Sequence, residues 1–315
     1  MPQDHDIAAD RDALLAASAL ALLAMLIVPP LFGFALDLPS FYPVAVLASV
    51  PTLFLPYARW RGLHRLAAGL ETTALGLVLA VPALVFSYAA MRVGAPLADG
   101  TLRAWDAALG FDWLACVRFV DRSRSVAAAL SIGYSSFVFQ LLLLPALLCA
   151  ARLPERAYRL VLGYLILCTL SAIVGAGFPA EAAYVAYDLP ADAFRHVDGH
   201  FGRLFLDSFH ATRMAEHFTL GLGDAAGIVT FPSVHAGVAA LCAWAAWPSR
   251  PLRALFVPLN LLMAASAVTN GAHYLVDVLA GGAVAFLTIA LVRRAGRVAA
   301  RPRMAAEPRR LTQIA

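Results

Sequence analysis

The sequence predicts an all-α, polytopic membrane helical bundle, and three observations predict it. Of the 315 residues 61% are hydrophobic and only 14% charged, with a mean hydropathy of +0.75. That leaves too little polar surface for a soluble domain of this size. Eight apolar runs approach the length of about 20 residues that a spanning helix needs. The arginines of the short loops then fall on one side of the path that eight spans would trace.

The runs lie at 13–36, 41–58, 68–92, 125–151, 157–178, 233–248, 252–270 and 273–293, about eight transmembrane helices in all. The second and sixth are short. Pro29, Pro30 and Pro82 sit inside runs, where membrane helices tolerate them. The N-terminus, MPQDHDIAADRD, is acidic and lacks the basic region and small-residue cleavage site of a signal peptide, so the first run is expected to stay in the protein. The organisation expected is an N-terminal helix pair over 1–64, a six-helix core over 65–295 and a basic cytoplasmic tail over 296–315.

Orientation follows from the loops. Arg59, Arg61 and Arg65 follow the second run, and Arg152, Arg156 and Arg159 the fourth. Arg250 and Arg253 follow the sixth, and Arg293, Arg294, Arg297, Arg301 and Arg303 the eighth. The positive-inside rule puts these and both termini in the cytoplasm, with the long loops 93–124 and 179–232 outside. All 24 basic residues are arginine, and the net charge is +4. Because the arginines set topology, no nucleic-acid partner is expected. Within loop 93–124, Trp105, Leu109 and Trp113 are each four residues apart. They read either as one face of an interfacial helix or as part of a small cap outside the membrane. Cys149, Cys168 and Cys242 lie in apolar runs and Cys116 in a loop, neither a disulfide framework nor a metal-binding spacing.

The histidines are unevenly shared. His5 and His64 fall on the cytoplasmic side, and His196, His200, His210, His217, His235 and His273 on the other. Two stand in sharper settings. In TFPSVHAG, residues 230–237, Pro232 and Ser233 are helix-start signals, and His235 falls in the first turn. A helix N-terminus offers free N–H groups to a phosphate. In TNGAHYLVDVLAGG, residues 269–282, His273 and Asp277 are four apart. An Asp beside a His fixes its tautomer, and ionisable groups at a membrane helix end are a functional hypothesis. Alone, the first is equally a helix start with an incidental histidine, and the second a structural His–Asp pair. Together they gain weight: the run after His235 leads inward and the next returns to His273, so both rings are expected at one face.

At these residues the chain resembles the type-2 phosphatidic acid phosphatase superfamily. FPSVH matches the superfamily's P-S-x-H motif, and His273 with Asp277 matches the end of S-R-x5-H-x3-D. The resemblance spans roughly residues 65–295, with the first two helices as additions. Ser266 stands at the third motif's serine, but Ala267 replaces its arginine, and no K-x6-R-P motif is present. That absence resembles the branch of inositol phosphorylceramide synthases and their bacterial relatives. In that branch an arginine stands about fourteen residues before the glycine of G-I-V-x-F-P-S-x-H, the place of Arg213 before Gly227 here. A bacterial inner-membrane location is what this branch implies.

The resemblance implies that His273 is a phosphoryl nucleophile oriented by Asp277. It makes His235 the general acid and then base, and Ser233 and Arg213 the phosphate ligands. No metal and no cofactor enter that scheme. The expected partners are the membrane, a lipid phosphate or phospholipid and, for a transferase, an alcohol acceptor. Water as acceptor gives a phosphatase, a lipid alcohol or polyol a phosphotransferase. The alternatives are a metal site made by His235, His273 and Asp277, and a non-catalytic lipid-binding or transport protein.

Overall fold

The computed structural model describes residues 2–190 and 192–299. The tail expected over 296–315 lies, from residue 300 onward, outside the described residues. Among the described residues the chain forms α1 (Pro2–Leu31), α2 (Tyr42–Trp60), α3 (His64–Arg92), α4 (Asp99–Ala108), α5 (Trp113–Asp121) and α6 (Arg124–Ala150). It continues with α7 (Pro154–Gly175), α8 (Ala183–Ala186), α9 (Leu206–Met214), α10 (Val234–Ala246), α11 (Arg250–Thr269) and α12 (Leu275–Ala299). The protein is an all-α polytopic bundle. Seven helices among the described residues, α1, α2, α3, α6, α7, α11 and α12, are long and apolar enough to cross a membrane.

The sixth expected span, 233–248, already short in the sequence, is shorter still. Helix α10 has 13 residues, about 20 Å of rise against a hydrocarbon core of about 30 Å. It packs against α6, α7, α11 and α12. Protein rather than lipid surrounds it, which relieves it of the need to reach both interfaces.

Two other expectations change. The first run was expected to stay helical to residue 36, but α1 stops at Leu31 and Gly33 takes φ +70°. Phe34–Leu36 then forms a short strand, β1, parallel to Phe218–Leu220, β2, in the register Phe34 to Phe218. Arg92 fastens this ribbon, its guanidinium donating to the carbonyls of Phe32, Gly33, Thr212 and Ala215. The 93–124 loop is not one interfacial helix. Gly110, at φ +73°, ends α4, and Asp112 starts α5 by accepting from the Ala115 N–H at 2.9 Å. The break turns Trp113 inward, fully buried, while Trp105 and Leu109 stay exposed.

Helices α1 and α2 dock on α3, and α1 also touches α7 and α12. A buried carboxylate fixes the joint. Glu71 accepts from Arg11 at 2.8 and 2.9 Å, from Arg59 at 2.8 Å and from the Tyr158 hydroxyl at 2.8 Å. Four helices therefore meet on one side chain. Salt-bridging and hydrogen bonding together satisfy a charge that would otherwise be costly to bury.

Candidate active site

Helix α10 begins at the FPSVH segment. Ser233 is its N-cap, and its Oγ accepts from the Ala236 N–H at 3.4 Å. Pro232 therefore precedes the cap rather than opening the helix, and follows a cis peptide bond from Phe231. His235 lies in the first turn. Its ring stacks on Tyr134 with centroids 4.2 Å apart and planes 11° apart, and Phe137 lies 4.5 Å away. Tyr134 and Phe137 both come from α6, a contact between segments about a hundred residues apart that no local pattern announces.

His273 precedes α12 by two residues, so it does not share a helix face with Asp277. The contact forms all the same: His273 Nδ1 lies 3.2 Å from Asp277 Oδ2. That oxygen also accepts from the Tyr274 N–H at 3.0 Å, a carboxylate at the third helical position reaching back to its cap. His273 is 5% exposed and Asp277 fully buried. With Nδ1 facing the carboxylate, the ring is oriented and Nε2 is left on its other edge.

The two motifs touch through the backbone. The Ser233 N–H donates to the Asp277 carbonyl at 3.0 Å. Glycine permits this approach. A Cβ on Gly281 would collide with the Ser233 carbonyl and sit 3.3 Å from the Ala236 Cβ, and one on Gly237 would sit 3.2 Å from the Gly281 carbonyl. Both histidines line one cavity of about 770 Å³. Thr230, Ser208 and Asp224 join them on its wall, and the remainder is largely apolar, from Phe41 and Val44 through Leu84 to Phe137 and Val138.

Ser233 and Arg213 sit differently from what was expected of them. Ser233 is fully buried behind the cavity wall, and its hydroxyl serves the helix cap. Arg213, in the last turn of α9, donates to the Ala95 carbonyl at 2.7 Å and lies over the Phe209 ring. It does not line the cavity that holds the two histidines. Ala267, where the resemblance would put an arginine, is fully buried and accepts from the His273 N–H at 3.0 Å. His210 pairs with Glu181 at 3.1 Å. Among the described residues no three His, Cys, Asp or Glu side chains converge as a metal-binding group.

The sequence reading missed a ring of support around the second motif. Asp106 accepts from the N–H groups of Leu275 and Val276, each at 2.9 Å. The Trp113 indole donates to the carbonyls of His273 at 3.0 Å and Val268 at 3.2 Å. Tyr274 donates its hydroxyl to Asp99 Oδ1 at 3.0 Å. Burial pushes the Asp106 carboxyl up from the usual range, against the pull of its two N–H donors. Burial likewise raises Asp99, against the Glu181 N–H and the Tyr274 hydroxyl. The stop and start signals at Gly110 and Asp112 were the only local hint that this loop folds inward.

Comparison with curated proteins and with solved structures returned no match. A sequence model of the PAP2 superfamily matches residues 100–291, more than half of the chain. That stretch carries α10, both histidines, Asp277 and the inward-folded loop. On this match the chain belongs to the PAP2 superfamily.

Proposed function

We propose that the protein is a membrane-embedded lipid phosphate phosphatase or phosphotransferase that works through a phosphohistidine. The observation that carries the reading is the shared cavity, with two histidines among its lining residues and apolar side chains over most of the rest. An amphipathic phosphate ester matches that division.

The steps follow from the groups present. His273 Nε2 attacks phosphorus, forming the N–P bond as the P–O bond to the lipid breaks. Asp277 at Nδ1 stabilises the positive charge that the ring acquires. His235 delivers its proton to the departing oxygen, then takes one from the incoming water or alcohol. That oxygen attacks phosphorus and the P–N bond breaks, restoring both rings. The Val234 and His235 N–H groups, in the first turn of α10 after the Ser233 cap, lack intrahelical acceptors and are available to the developing charge, whereas the Ala236 N–H is taken by the Ser233 hydroxyl. Arg213 would reach a phosphate only by leaving the Ala95 carbonyl, so its part in binding is secondary.

Hydrolysis is the simpler outcome, because transfer requires a seat for a second substrate. Transfer to an alcohol is the second reading, favoured by the absence of a K-x6-R-P segment. The arginines at the ends of α2, α6 and α12 and the start of α11 gather at the end of the bundle opposite the histidines. This favours a site at the non-cytoplasmic face of the membrane, and the resemblance to the inositol phosphorylceramide synthase branch favours a bacterial inner membrane.

The test uses purified protein with radiolabelled lipid phosphates, with and without added alcohols. His273→Ala is expected to abolish turnover and labelling of the protein. His235→Ala is expected to lower turnover by about 10²–10⁴-fold, the range of a lost general acid. Full turnover in His273→Ala would refute the nucleophile assignment. Wild-type behaviour of His235→Ala would refute the acid. Free phosphate against a phosphorylated alcohol separates hydrolysis from transfer.

A further inference from the structure

The turn that carries His273 is hydrogen-bonded to its adjoining helices and, in addition, to three short helices, α4, α5 and α8, of the segments that connect the long ones. The Val268 and His273 carbonyls accept from Trp113, and the Thr269 carbonyl accepts from the Tyr184 hydroxyl at 2.7 Å. The Ala272 carbonyl accepts from the Ala183 N–H at 2.9 Å. The Leu275 and Val276 N–H groups go to Asp106. Within this frame Ala272 holds φ +55°, a left-handed conformation that a residue with a Cβ adopts at a cost. A strained turn persists only when its surroundings over-determine it, and here six backbone groups are fixed from outside.

We infer that the α4–α5 segment is a clamp for the His273 turn and that Asp106 is its principal positioning residue. The inference rests on the reading of His273 as the reacting group. Asp106 is 2% exposed and spends both carboxylate oxygens on the first two N–H groups of α12. It thereby does two things. It fixes the start of the helix that carries Asp277, and so the 3.2 Å contact between Asp277 and His273. It also fills the one position at this helix end where an anion would bind, so the substrate phosphate is left to the N-terminus of α10. Trp113, fully buried, ties the His273 carbonyl to the same segment. Tyr274, held by Asp99, supplies a third tie. Asp106 touches no substrate in this scheme and acts through His273.

The experiment compares Asp106→Ala, Asp106→Asn and Trp113→Phe in the purified full chain, each assayed below its own unfolding midpoint. Misplacing a reacting group by about 1 Å can cost about 10²-fold in rate. Asp106→Ala is expected to lose kcat on the order of a hundredfold, and Asp106→Asn, which keeps one acceptor, about tenfold. Trp113→Phe, which keeps a ring in the buried stack but no N–H, is expected to lose about tenfold, and KM should stay within about threefold throughout. A merely structural role would lower the amount of folded enzyme and leave kcat per folded molecule untouched. Wild-type kcat in both Asp106→Asn and Trp113→Phe, or losses carried by KM alone, would overturn the clamp. If Asp106→Ala does not fold, those two milder variants decide. His273→Ala in the same assay separates the two levels. Retained turnover there overturns the phosphohistidine, whereas a dead His273→Ala beside wild-type Asp106→Asn and Trp113→Phe overturns only the clamp.

Discussion

The His235 imidazole lies parallel to Tyr134 and against Phe137. Stacking fixes the plane of the ring but leaves its nitrogens free for a substrate. Aromatic pairs of this kind contribute about 0.5–1.5 kcal/mol beyond area burial. Tyr134→Ala should therefore loosen the ring and lower turnover by about tenfold, as a loss near 1.4 kcal/mol in the transition state implies. Tyr134→Phe should keep wild-type turnover, and steady-state kinetics on the pair checks this. At this scale the local contacts of the motif residues were legible. Histidines at 235 and 273, Asp277 and Ser233 announce themselves by local spacing, because a cap and a His–Asp contact are made within four residues. Tyr134, Asp106 and Trp113 were not, since these partners lie from 101 to 170 positions away in the chain. Arg213 was matched by spacing alone, and a nearby carbonyl holds it elsewhere.

Elements were legible where hydropathy alone decides them. Long apolar runs became helices with ends shifted by a few residues, apart from α1, which starts at Pro2 rather than 13, since lipid demands internally satisfied backbone. The short β1–β2 ribbon was invisible because its pairing joins segments 184 residues apart. The shortness of α10 was legible in its run, but its enclosure by four other helices was not, because apolar residues face protein and lipid alike. The crossing of α10 and α12 sets both histidines, and glycine makes it close. Gly281→Ala must push apart the Ser233 carbonyl and the helix that presents it. Overpacking of this kind costs about 1–3 kcal/mol. The variant should unfold at lower temperature and lose most activity. Gly282→Ala, whose Cβ would meet nothing within 4 Å, should match the wild type in both. Thermal unfolding in detergent with a parallel activity assay tests the contrast.

For the whole molecule, the sided distribution of short-loop arginines is legible in the sequence, and the Glu71 junction is not. Arg11 and Arg59 look like ordinary topology signals until α3 brings one carboxylate between them. Glu71→Ala leaves two guanidinium groups and the Tyr158 hydroxyl without their acceptor. The arginines are partly exposed and can turn to water, so a loss of about 2 kcal/mol is expected, below the range for a fully buried pair. A lower unfolding midpoint with unchanged kcat per folded molecule is the expected result, because this junction lies at the far end from the histidines. Catalysis lost in step with stability would show that the two ends are coupled.

The cavity wall at Phe41 and Val44 comes from chain that precedes the family-matched segment. The two histidines and part of the boundary of the space beside them thus come from different stretches of the sequence. On the proposed function, a guest's phosphorus would be handled by residues of the family-matched segment, while the room for its tail would be bounded in part by the helix that precedes it. Relatives that keep the same histidines but carry a different leading segment would then perform the same bond exchange on guests of another girth.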